Sequence, residues 1–237
     1  MRLVCLVAAV ATLALAAPTS AQDQIDATGF FAGVDAGGVF RSGGSRTTDG
    51  GESRNGVVSG VRFSEAFAIG GHLGYRLNSQ WSAFVSYDHV SGDVTWQADF
   101  PFVPRAHFKT NATSNIFLGN FAYSHALADS TNFTIGAGAG ISVNSLSNAD
   151  EKSLVFGHYA TLDGQTTVSP AVRASVGIEQ QIAPQVAIGL NASISYLGGF
   201  ETGSAREYVG LGRQVINPYR LSDVWGAAVT ASLKARF

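Results

Sequence analysis

Residues 225–237 alternate without a break. Trp225, Ala227, Val229, Ala231, Leu233, Ala235 and Phe237 share one parity and are all apolar, while Gly226, Ala228, Thr230, Ser232, Lys234 and Arg236 on the other are small or polar. A period of two belongs to a strand that meets a different medium on each face. Aromatics close both ends of the apolar face, as expected of a lipid-spanning strand of about 9–11 residues. The pattern recurs in residues 29–40, 66–77, 81–89, 131–144, 172–179 and 188–196. Residues 112–127 also alternate, but Ile116 and Leu118 compete with Phe117, Phe121 and Tyr123 for the apolar face. The aromatic parity is taken as the lipid side.

Eight strands result, separated alternately by long and short connections. The short ones lie at 78–80, 128–130 and 183–185. The long ones, 41–65, 91–110, 145–167 and 198–223, show no period and read as loops. Pro101 and Pro104 exclude a central strand in the second. An even strand count, short turns on one rim and long loops on the other predict an all-β fold, an eight-stranded antiparallel transmembrane up-and-down β-barrel. Closure leaves no sheet edge in hydrocarbon. A soluble, lipocalin-like barrel would line its cavity with the apolar face and put charge outside. Here the charges Asp35, Arg76, Asp88, Arg173, Glu179, Lys234 and Arg236 all fall on the face opposite the apolar one.

Composition agrees. Only 14% of residues are charged and 28 are Gly, while a formal charge of −2 gives no nucleic-acid signature. No apolar run reaches the roughly 18 residues of a spanning helix. Arg2, an apolar stretch to Ala17, and Thr19 and Ala21 before Gln22 read as a signal peptide over 1–21, leaving the barrel domain at 22–237. The only cysteine, Cys5, lies inside that peptide, so the exported chain has no thiol for a disulfide, a metal or a nucleophile.

The opening Gly29-Phe-Phe-Ala-Gly-Val, the run Gly70-Gly-His-Leu-Gly-Tyr-Arg76, the run Gly136-Ala-Gly-Ala-Gly140 and the final Phe237 resemble small outer-membrane β-barrel proteins of the OmpA-like transmembrane type, the porin-family surface antigens. The resemblance spans 29–237. It implies a Gram-negative outer-membrane location among lipid and lipopolysaccharide, and a closing strand whose Phe237 is read by the barrel-assembly machinery.

Candidate chemistry begins with the inward charges. An eight-stranded barrel encloses little more than its own side chains, and buried charges must pair. Asp35 and His72 fall at one height on adjacent strands, Asp88 and Arg173 face each other across the lumen, and Lys234 and Arg236 have Glu179 or Asp35 in reach; Arg76 completes the set. The lumen is thus either a self-satisfied polar plug or a narrow pore. His89 and Ser91 share the lipid-facing parity and superficially resemble barrel enzymes that act on lipid A, but Asp88 points the other way and no triad follows. In the loops, Arg105, Lys109, Arg206, Arg213 and Arg220 are candidates for lipopolysaccharide phosphates or a partner surface; the ordinary alternative is solvated loop charge. Neither the glycine runs, which lie inside strands, nor the scattered histidines predict a cofactor or a metal. The expected role is a non-enzymatic structural or surface-interaction one, with a small solute pore second and a lipid A-modifying enzyme third.

Overall fold

The computed structural model describes residues 28–46, 57–99, 105–153, 155 and 157–237. The expected signal peptide and both Pro101 and Pro104 lie outside them. Among the described residues there are thirteen strands and no helix: β1 (Gly29–Arg46), β2 (Val57–Phe63), β3 (Ala66–Arg76), β4 (Trp81–Asp99), β5 (Ala106–Ala128), β6 (Thr131–Leu146), β7 (Ala149–Ser153), β8 (Gly157–Leu162), β9 (Gln165–Ala183), β10 (Val186–Glu201), β11 (Ala205–Tyr208), β12 (Gly212–Val215) and β13 (Arg220–Arg236). Eight of them, β1, β3, β4, β5, β6, β9, β10 and β13, pair antiparallel in a ring that β1 and β13 close. Their short connections are the three expected from sequence.

The ring is inside-out. Phe30, Val34, Ile69, Leu73, Val85, Phe121, Ile135, Val176, Ile188 and Leu233 stand exposed on the outer wall. On β5, Phe117 is 46% exposed and Ile116 2%, so the aromatic parity is the outer one. Edge-on aromatic pairs stand toward both rims: Phe30–Tyr75 and Trp81–Tyr123 near the short turns, Tyr196–Trp225 near the long loops. Aromatic rings at both interfaces of an apolar band are what a bilayer selects.

The long connections differ from the loops expected. β4 continues to Asp99 and β5 begins at Ala106, so most of 91–110 is paired strand. β1 runs to Arg46 and β2 adds itself to β4. The third and fourth connections fold as the hairpins β7–β8 and β11–β12; β7 pairs with β5, and β11 pairs with β8. At 23 residues, β5 is more than twice as long as a strand needs to cross hydrocarbon.

These extensions form because the polarity of the faces inverts along the chain. On β4, the outer residues Trp81, Ala83, Val85 and Tyr87 give way to His89, Ser91, Asp93 and Thr95. The inner residues Ser82, Ser86 and Asp88 give way to Val90, Val94, Trp96 and Ala98, all four of them buried. Below the inversion the outside is lipid; above it the outside is water, and the apolar face must turn inward. The result is a folded cap with its own core, where Trp96 stacks on Phe108 (5.2 Å between centroids, 6° between planes) and Tyr219 packs on both.

Candidate functional site

The lumen divides into two parts. Below lies a polar cavity of about 820 Å³ that opens among the short turns beside Asn78, Ser79, Asp129 and Gln185. Above, Val39, Ala68, Val90, Ile116, Leu118 and Leu197 form an apolar plug continuous with the cap core.

Two polar side chains bind the plug level together. Arg41 extends the inward parity of β1 just above the point where β3 stops at Ala66. It donates to the Gly92 carbonyl on β4 (3.0 Å) and the Ala112 carbonyl on β5 (2.9 Å), and the Phe63 ring lies 5.0 Å from its guanidinium. It therefore ties β1 to β4 and β5 from the inner side, where β3 gives way to β2. Opposite, buried Asn144 on β6 donates to the carbonyls of Leu197 (2.6 Å) and Gly199 (3.0 Å) while accepting from Ser114 and Ser142. The β10 register shifts on both sides of Gly198. Gly198 has a φ of +77°, and a Cβ there would sit 2.1 Å from that of Ser169, so both backbone and space demand glycine. Asn144 meets carbonyls beside that bulge. Neither residue stands out in the sequence reading, which placed Arg41 in a loop; its only signal is the unbroken parity Phe31, Gly33, Asp35, Gly37, Val39, Arg41.

The inward charges pair as their strand positions suggest. His72 Nδ1 lies 2.8 Å from Asp35, with Gly33 leaving the space that the ring fills. Arg173 donates to Asp88 across the lumen at 2.8 Å and to Ser195 at 3.0 Å. Lys234 and Arg236 both bind Glu179, not Asp35. Arg76 lies in the electrostatic field of Arg236 and Glu179 and makes no ion pair among the described residues.

Four of the five loop cations are exposed, and each has an acid beside it. Arg105 pairs with Asp99, Lys109 with Asp93 at 2.9 Å, Arg213 with Asp163, and Arg220 with Glu201 at 3.1 Å. Arg206 is a correction: it is 3% exposed, 2.8 Å from a Glu151 that is fully buried, and it donates to Tyr208 and Tyr219. It holds the cap core and cannot meet an external phosphate.

On the outer wall, His89 Nδ1 and Tyr87 Oη both bond Asn115 Oδ1 at 2.9 Å, and Ser91 donates to Asn111 at 3.3 Å. Asp88 is turned inward onto Arg173. His89, Ser91 and Asp88 thus form no relay with one another.

The model of one protein family, described as outer membrane protein beta-barrel domain, matches residues 7–237. No curated protein matches the chain. Solved structures similar to it include Neisserial surface protein A (14% identity, 88% of this chain and 97% of that one, TM-score 0.45). OprG from Pseudomonas aeruginosa is 11% identical over 87% of this chain and 95% of its own (TM-score 0.47). The outer membrane protease OmpT from Escherichia coli is 13% identical over 92% and 99% (TM-score 0.47).

Proposed function

The chain belongs to the outer membrane protein beta-barrel domain family, and from that premise we propose that it is a non-enzymatic barrel, sealed at its outer end, that carries a folded surface-interaction platform. It resides in the bacterial outer membrane. The observation that carries the proposal is the continuous apolar plug from Val39 and Ile116 up to Trp96 and Tyr219. A conducting lumen needs a wetted path, and this segment holds buried side chains instead. Above it, β7, β8, β11 and β12 extend the sheet and shape the outward surface. The closing strand with Phe237 is the part we assign to recognition by the barrel-assembly machinery.

Purified protein in planar bilayers is expected to give no discrete conductance steps. Regular steps would sink the sealed-barrel reading and favour the solute pore.

Contact with lipopolysaccharide falls to the exposed cations, each already offset by an acid. Exposed ion pairs contribute little. Neutralising Arg105, Lys109 and Arg220 together is therefore expected to change co-purified lipopolysaccharide by less than about twofold. A large loss on quantitation would restore those side chains as phosphate ligands.

A further inference from the structure

The lower lumen is a blind cavity that gathers three cations around one acid on the β1 side of its mouth. Glu179 is shared by Lys234 and Arg236, and Arg76 adds a third cation that makes no ion pair among the described residues. The strand register sets this up: Arg76 lies opposite Gly29 and Arg236 opposite Phe31, so the two arginines flank β1 at the same rim. Gly29 places no side chain between them. Deeper in, Asp35 and Asp88 are engaged by His72 and Arg173, and the other lining acid, Asp129, stands on the β5–β6 turn across the ring, so the positive excess is confined to the β1 side of the mouth. Like charges held side by side in a confined, partly desolvated space favour a counter-charge.

We propose that this mouth binds the phosphate or carboxylate group of a small hydrophilic molecule entering from the short-turn side, which is the periplasmic one. The free guanidinium of Arg76 offers paired donors in the planar geometry that such an oxyanion accepts, with Arg236 beside it. Ser82, Asn132 and Gln181 around the same rim, and Ser232 deeper in, line the cavity with hydroxyl and amide groups for the rest of the molecule. A volume of about 820 Å³ falls within the range of small-molecule sites.

The test is calorimetric titration of the full barrel, folded in a maltoside detergent, with inorganic phosphate, glucose 6-phosphate and glucose. The two phosphates are expected to bind saturably and glucose not at all. Arg76→Gln should weaken phosphate binding by about tenfold or more, the effect of deleting a hydrogen bond to a charged group. Arg236→Gln, which leaves Lys234 on Glu179, should weaken it as well, while Arg105→Gln at the opposite rim leaves it unchanged. Heat-modifiable gel mobility reports that each variant is folded. Absence of saturable phosphate binding, or unchanged affinity in both arginine variants, overturns the proposal. Phosphate binding lost in phosphatidylglycerol nanodiscs but kept in phosphatidylcholine ones would give the site to a lipid headgroup and overturn the assignment to a soluble molecule.

Discussion

Arg206→Met is expected to unfold the cap while the barrel beneath it stays closed. Glu151 is fully buried and Arg206 nearly so. The carboxylate is held by the guanidinium and by the Tyr159 hydroxyl, and the guanidinium lies 5.6 Å from the Tyr208 ring and 6.0 Å from that of Tyr219. Removing one partner of a buried pair strands the other, at a cost of about 3–5 kcal/mol. That is a large share of what a small four-stranded extension can hold. Amide exchange in β7, β8, β11 and β12 should accelerate accordingly, with β1, β3 and β13 unchanged. Glu151→Leu with Arg206→Met should restore most of the protection, because two apolar groups leave no charge unpaired. No recovery in the double variant would place the cost in shape and not in charge.

The same pair sets a pH dependence in the single variant. Burial pushes the Glu151 carboxyl above the ordinary glutamate value, outweighing the attraction of Arg206; without that arginine the upward push is stronger still. A carboxyl raised in the folded state contributes most below its unfolded value of about 4.3, and that contribution is lost as pH rises through the folded value. Cap protection in Arg206→Met should therefore be greater at pH 5 than at pH 8. The opposite order would mean that Glu151 stays ionised and finds another partner.

The barrel was legible in the sequence because its eight spanning segments each meet lipid on one face and the lumen on the other. That contrast survives even where Ile116 and Leu118 blur it. The cap was not legible for a related reason. Its strands alternate as strictly as the rest, but with the apolar parity switched, so Val90, Val94, Trp96 and Ala98 break the series begun by Trp81 and Val85. A search for one continuous parity reads that switch as a loop. Strand position left Lys234 and Arg236 between Glu179 and Asp35, but the lumen pairs Asp35–His72 and Asp88–Arg173 followed from it, since inward residues at one height have few neighbours. Arg206 did not: nothing local separates a buried arginine from a solvated one when its partner, Glu151, lies fifty-five positions away on another hairpin.

Arg41→Ala is expected to unseal the barrel. β3 gives way to β2 at residues 64–65, where the Ser64 N–H donates to the Asp93 carbonyl at 2.9 Å, so the wall beside β1 changes strand at the height of Gly92 and Ala112. The Arg41 guanidinium lies on the inner side of that junction, giving one N–H group to each carbonyl with Phe63 of β2 against it. Alanine removes both charge-assisted bonds and leaves two buried carbonyls without those donors, a cost of about 2–6 kcal/mol. It also opens a polar gap beside the plug through which water can join the lower cavity to the outside. The wild type should be silent in planar bilayers and Arg41→Ala should show discrete conductance steps, with heat-modifiable mobility retained. Arg41→Lys tests the geometry: a single ammonium cannot match the planar fork that reaches two carbonyls and lies against an aromatic ring. It should give intermediate, flickering openings. A folded Arg41→Ala barrel as silent as the wild type would show that the apolar plug seals the lumen without the arginine, and would confine Arg41 to holding β1 against the β4–β5 hairpin.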